Sequence, residues 1–86
     1  MVNVIIPSPL YSYTSGAKSV DVAGASVGEA IKDLDRRYPG LKFRIVDEQE
    51  QIRTHIRVFV NDEIATLATP LREGDEMAIV AALSGG

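Results

Sequence analysis

Eighty-six residues, 45% apolar and 24% charged, have the composition of one small globular domain rather than of a disordered chain. Such a domain can hold a sheet and one helix but has little room for a deep substrate pocket, which argues against a stand-alone enzyme. The formal net charge is −3, and the nine Lys and Arg, spread from Lys18 to Arg72, supply no basic face, so nucleic acid is not an expected partner.

The absence of cysteine removes disulfides, thiolate-bound zinc and a cysteine nucleophile. His55 is the only histidine and lies in the polar lead-in Arg53-Thr54-His55-Ile56-Arg57, where it reads as a surface residue. No metal site and no catalytic group of the chain's own are expected. The N-terminal apolar run is too short for a signal peptide and no stretch reaches the length of a membrane span, so the expected location is cytoplasmic, with no membrane partner.

In chain order, Val2 to Ile6 reads as a strand, its nearly continuous apolar character suggesting cover on both faces. Pro7-Ser8-Pro9 ends it, and Lys18 to Ala23 alternates with Val20 and Val22 on one face, which suggests an antiparallel hairpin. Ser26-Val27-Gly28-Glu29 fits a capping box, in which the Ser26 hydroxyl accepts from the Glu29 amide and the Glu29 side chain bonds back. Val27, Ala30, Ile31, Leu34 and Tyr38 then form one helical stripe, with Lys32, Asp33, Arg36 and Arg37 outside it and Asp33–Arg37 as an i,i+4 pair. Pro39-Gly40 stops the helix.

The segment from Leu41 to Gln51 fits either a short turn of helix or a loop touching the core. Ile56 to Val60 reads as a strand with Ile56, Val58 and Val60 on one face and Arg57 and Phe59 on the other. Asn61-Asp62 has turn chemistry, and Ile64 to Leu67 could pair back. Gly74 suits a positive φ in the loop from Pro70 to Asp75. Glu76 to Ala82, apolar on both faces after Glu76, reads as a central strand. Acidic residues gather at Asp47, Glu48 and Glu50, at Asp62 and Glu63, and at Glu73, Asp75 and Glu76, either as solvated turns or as a rim for a basic partner. The element order, β β α (β β) β, describes a two-layer α+β domain over residues 1–82, with 83–86 as a flexible tail ending in Gly85-Gly86.

Three segments carry a family resemblance: Leu34-Asp35-Arg36-Arg37-Tyr38-Pro39-Gly40-Leu41, Val60-Asn61-Asp62-Glu63, and Pro70 to Ile79 running on to Gly85-Gly86. In these the chain resembles the ubiquitin-like β-grasp sulfur carriers, namely the molybdopterin synthase small subunit, the thiazole-biosynthesis carrier and a carrier of an alternative cysteine pathway. The resemblance implies a mixed sheet of about five strands with one main helix on one face. It implies that an enzyme of the ubiquitin-activating type adenylates the Gly86 carboxylate, that sulfur converts it to a thiocarboxylate, and that a synthase accepts the sulfur. ATP would be used by that partner, and no cofactor would be bound by the chain itself. Gly85, Ser84 and Leu83 would thread the partner's channel, and four extended residues reach roughly 13–14 Å. Many members carry proline shortly before the tail, where this chain has Ala81-Ala82.

If the helix covers Met77, Ile79 and Ala81, then Val80 and Phe59 remain on the open sheet face as a docking patch; packing against the segment 41–51 is the alternative. A second functional reading shares the activation chemistry: a ubiquitin-like modifier joined through Gly86 to target lysines.

Overall fold

The computed structural model describes residues 1–82. β1 (Val2–Ile5) and β2 (Ser19–Val22) precede α1 (Val27–Arg37) and α2 (Leu41–Ile45), and β3 (Ile56–Val60), β4 (Glu63–Ile64) and β5 (Glu76–Ala81) follow. A 3-10 helix over Ser8–Thr14, which the sequence did not suggest, fills the connection between β1 and β2. The strands form one five-stranded sheet in the order β2-β1-β5-β3-β4. β5 runs parallel to β1 and antiparallel to β3, which makes the sheet mixed, and β5 is its central strand.

One face of this sheet is covered. Val4, Val58, Met77 and Ile79 from the strands share a single buried cluster with Val27, Ala30, Ile31 and Leu34 from α1. Leu41, Ile45 and Val46 join the same cluster, so the segment after Gly40 opens as a turn of helix on the helical side of the sheet. The expectation that β1 is covered on both faces does not hold, whereas β5 is central as expected. Along β5, Met77 and Ile79 are buried while Ala78 is half-buried and Val80 exposed; along β1, Asn3 and Ile5 are half-buried between buried neighbours. Their apolar runs reflect two different surroundings, a core on one side and an uncovered apolar face on the other.

The helix is held at its start by groups distant in sequence. Ser26 Oγ accepts from the Glu29 amide at 3.3 Å, and Glu29 Oε1 accepts from the Ala25 amide at 3.1 Å, one residue before the expected donor. The Val27 and Gly28 amides donate to the carbonyls of Thr69 and Leu67, each at 3.0 Å. The orphan donors of the first turn are thereby satisfied by the loop ahead of β5. This also explains why β4 is only two residues long: the chain after Ala65 leaves β3 to meet the helix. α1 stops at Arg37, and Tyr38 acts as its C-cap, its amide donating to the Leu34 carbonyl at 2.8 Å.

Asp33, which sequence pattern places outside the apolar stripe, is only 7% exposed. Its Oδ2 accepts from the Ala23 amide at 3.0 Å, Arg36 bonds to Oδ1, and Arg37 approaches Oδ2 at 3.4 Å. The bond from Ala23 holds the carboxyl below its ordinary value against the opposing effect of burial, with Arg36 and Arg37 adding to the stabilisation. The side chain ties the end of β2 to the middle of α1.

Two predictions follow from this packing. A Cβ on Gly24 would lie 2.6 Å from the Ala30 amide nitrogen, so Gly24→Ala is expected to destabilise the fold by about 1–3 kcal/mol in urea unfolding. Because the Asp33 pKa is lowered on folding, its contribution is present above the unfolded value of 3.8 and fades as pH falls through the lower folded value. Asp33→Asn should therefore lower the urea midpoint at neutral pH and make the loss of stability on acidification shallower than in the wild type.

Candidate functional site

The sequence points to the end of β5, and the structure defines what surrounds it. The Asn61-Asp62 turn has positive φ at both residues, 49° and 72°, the geometry that matches the twist of a two-residue hairpin. Asn61 then reaches across to the start of β5: its side-chain Nδ2 donates to Asp75 Oδ1 at 3.0 Å, and its side-chain Oδ1 accepts from the Glu76 amide at 3.1 Å. Asp75 Oδ2 accepts from the Arg72 amide at 2.8 Å, and the Asp75 carbonyl accepts from the Asn3 amide at 3.0 Å. The bond from Asn61 holds the Asp75 carboxyl below its ordinary value. Gly74, at a φ of +88°, makes the turn possible. These motif residues therefore fix where β5 enters the sheet.

At its other end β5 leaves beside β3. The Ala82 amide donates to the His55 carbonyl at 2.8 Å, which places the last described residue at the rim of the sheet. His55 is exposed, as expected. Leu83, Ser84, Gly85 and Gly86, the predicted threading and reacting residues, lie outside the described residues.

Register fixes the open face between these two ends. Val80 is the cross-strand partner of Arg57, and Ala78 is the partner of Phe59. Phe59 is in turn opposite Ile64 on β4, and Ala78 is opposite Ile5 on β1. Residues directly opposite share a face, so Ile5, Ala78, Phe59 and Ile64 form an apolar row crossing the strands, with Val80 one pleat further towards Ala82. Val80 is 44% exposed and Ile64 66% exposed. The predicted pair is thus brought together on the face away from the helices. The alternative of packing against residues 41–51 fails, because that segment begins on the opposite side of the sheet.

Ile5 and Ile64 were missed by sequence reasoning. A signal for Ile64 was present, since a two-residue turn at Asn61-Asp62 pairs it with Phe59 and gives both the same facing. No comparable signal marked Ile5, whose place depends on the register of β1 against a strand more than seventy residues later.

A mixed five-stranded sheet with one face covered by the helix and β5 at its centre defines the ubiquitin-like β-grasp class. The chain belongs to the ThiS family, whose sequence model matches residues 4–86. It is similar to the sulfur carrier protein CysO of Mycobacterium tuberculosis, 36% identical over 91 residues covering 99% of this chain and 98% of the relative. It is also similar to small archaeal modifier protein 1 of Haloferax volcanii, 38% identical over 68 residues covering 78% of each chain. A chain in the crystal structure of the Amycolatopsis orientalis BexX/CysO complex superposes with a TM-score of 0.93 at 40% identity, each chain covered in full (100%). Among the described residues no helix is long and apolar enough to cross a membrane.

The two faces of β5 should respond differently to truncation. Ile79→Ala in the core is expected to cost about 2–5 kcal/mol, and Val80→Ala on the open face less than about 1 kcal/mol, both read from urea unfolding.

Proposed function

We propose that this chain is a sulfur carrier whose Gly86 carboxylate is the reacting group. The observation that carries the reading is the end of β5: the central strand brings Ala82 to the sheet rim, two residues beyond the exposed Val80 of an uncovered apolar face. Similarity to CysO sulfur carriers and a family match reaching residue 86 support it.

A free carboxylate is a poor acyl donor because it has no good leaving group. In the proposed sequence its oxygen attacks the α-phosphorus of ATP within an adenylating enzyme of the ubiquitin-activating type, and pyrophosphate leaves. A sulfur nucleophile then attacks the acyl carbon of the adenylate and AMP departs, leaving a thiocarboxylate on Gly86. A sulfur-accepting synthase takes the sulfur in cofactor or metabolite biosynthesis. The catalytic groups and the ATP site belong to the partners, and this chain is a co-substrate. Its part is to present the tail and the apolar row. Gly85 and Gly86 suit a narrow channel because neither carries a Cβ. The relative's BexX/CysO complex supports a reading in which such a carrier docks to a partner protein.

A second reading is favoured by the similarity to small archaeal modifier protein 1: the same activated Gly86 joined to a lysine amine of a target protein. Intact-mass measurement after incubation with ATP, a sulfide source and an adenylating enzyme separates the two. Exchange of one oxygen for sulfur, lost when Gly86 is deleted, is the expected result. Adducts linked through lysine would favour the modifier. An unchanged mass, with an enzyme that activates another carrier under the same conditions, would defeat both readings.

A further inference from the structure

The cation beside the tail exit is held in a fixed orientation. Arg57 lies directly across from Val80 on the open face, and its Nη1 donates to the carbonyls of Thr54 at 2.7 Å and Ile56 at 3.1 Å. Those two bonds pin one nitrogen of the guanidinium against its own strand. Nε and Nη2 make no hydrogen bond among the described residues, and no carboxylate there lies within ion-pair distance of Arg57. The remaining edge is the side-on fork that grips a carboxylate through two parallel bonds.

The opposite end of the same face carries the other sign. Asp21, Asn3 and Glu76 stand in one cross-strand row at the entry of β5, and Asp21 and Glu76 are exposed. Between the ends runs the apolar row through Ala78 and Phe59. The face is therefore polarised along β5, acidic where the strand enters and cationic where it leaves.

We propose that Arg57 is a specificity contact that binds a carboxylate on the enzyme accepting the tail, and so sets that enzyme's orientation on the open face. This deepens the carrier reading and rests on it. Any enzyme that takes a tail leaving at Ala82 covers the residues around the exit. Val80 is two residues upstream, roughly 7 Å along the strand, and Arg57 is its cross-strand partner. A partner surface complementary to this face has an apolar centre, a carboxylate against Arg57 and basic groups against Asp21 and Glu76. Rotated end for end, it would bring like charges together at both ends and direct its channel away from the tail.

The test uses an adenylating enzyme that thiocarboxylates the wild-type chain, so that failure of the carrier reading would show in the wild type and not as an effect of Arg57. With adenylation followed by pyrophosphate release, Arg57→Glu is expected to raise KM for the carrier by about tenfold or more while kcat stays within about twofold. Arg57→Gln, which keeps a donor for the strand carbonyls but loses the charge, should also raise KM and flatten its dependence on salt. Arg72→Glu makes the same change of net charge in the loop ahead of β5 and should leave KM near the wild-type value. Melting curves establish that each variant is folded. An unchanged KM for folded Arg57→Glu, an equal rise for Arg72→Glu, or a loss confined to kcat would each overturn the proposal.

Discussion

The insertion of β5 between β1 and β3 is the constraint on which the rest of the structure depends. It joins segments from opposite ends of the chain, pairing Val4 with Met77 in parallel and Val58 with Ile79 in antiparallel. A shift of one residue in either register would turn Met77 and Ile79 to the open face and bury Val80, because side chains alternate along a strand. The core and the open face are therefore settled by the same hydrogen-bonded ladder. The network of Asn61, Gly74 and Asp75 at the strand's entry holds that register from outside the ladder.

The helix layer is tied to the sheet through polar groups as well as apolar ones. The first-turn amides of α1 find acceptors in the loop that leads to β5, and Asp33 accepts from the chain leaving β2. Each bond satisfies a group that would be costly to bury unpaired. Gly28 permits the close approach at that helix start, since a Cβ there would lie 3.3 Å from the Leu67 carbonyl oxygen. The helix covers one face only, which leaves the apolar row through Phe59 available to another protein.

The pairing of β5 changes along its length. β5 pairs with β1 from Glu76 to Ala78 and with β3 from Met77 to Ala81, so its last residues are held by β3 alone. The acidic groups divide between tasks. Asp33 and Asp75 accept backbone hydrogen bonds that hold elements together, while Asp21 and Glu76 stand exposed on the open face. Count and net charge alone do not distinguish these uses.

The features that sequence determined are those governed by neighbours within a few residues. The Ser26–Glu29 cap, the stripe from Val27 to Leu34, the Asn61-Asp62 turn and the positive φ at Gly74 all arise from local sterics and local hydrogen bonds. Alternation along β3 and β5 likewise placed Val80 and Phe59 on a common face, given a helix on the other. Tertiary structure decided the remainder. Ile5 joins the apolar row only through a register against a distant strand, and Asp33 is buried only because Ala23 passes above it. Arg57 stands opposite Val80 only through the register of β3 against β5. β4 is cut to two residues by the competing demand of the α1 amides for the carbonyls of the following loop. Such outcomes turn on which groups meet across long chain separations, and no local pattern of residue types encodes that.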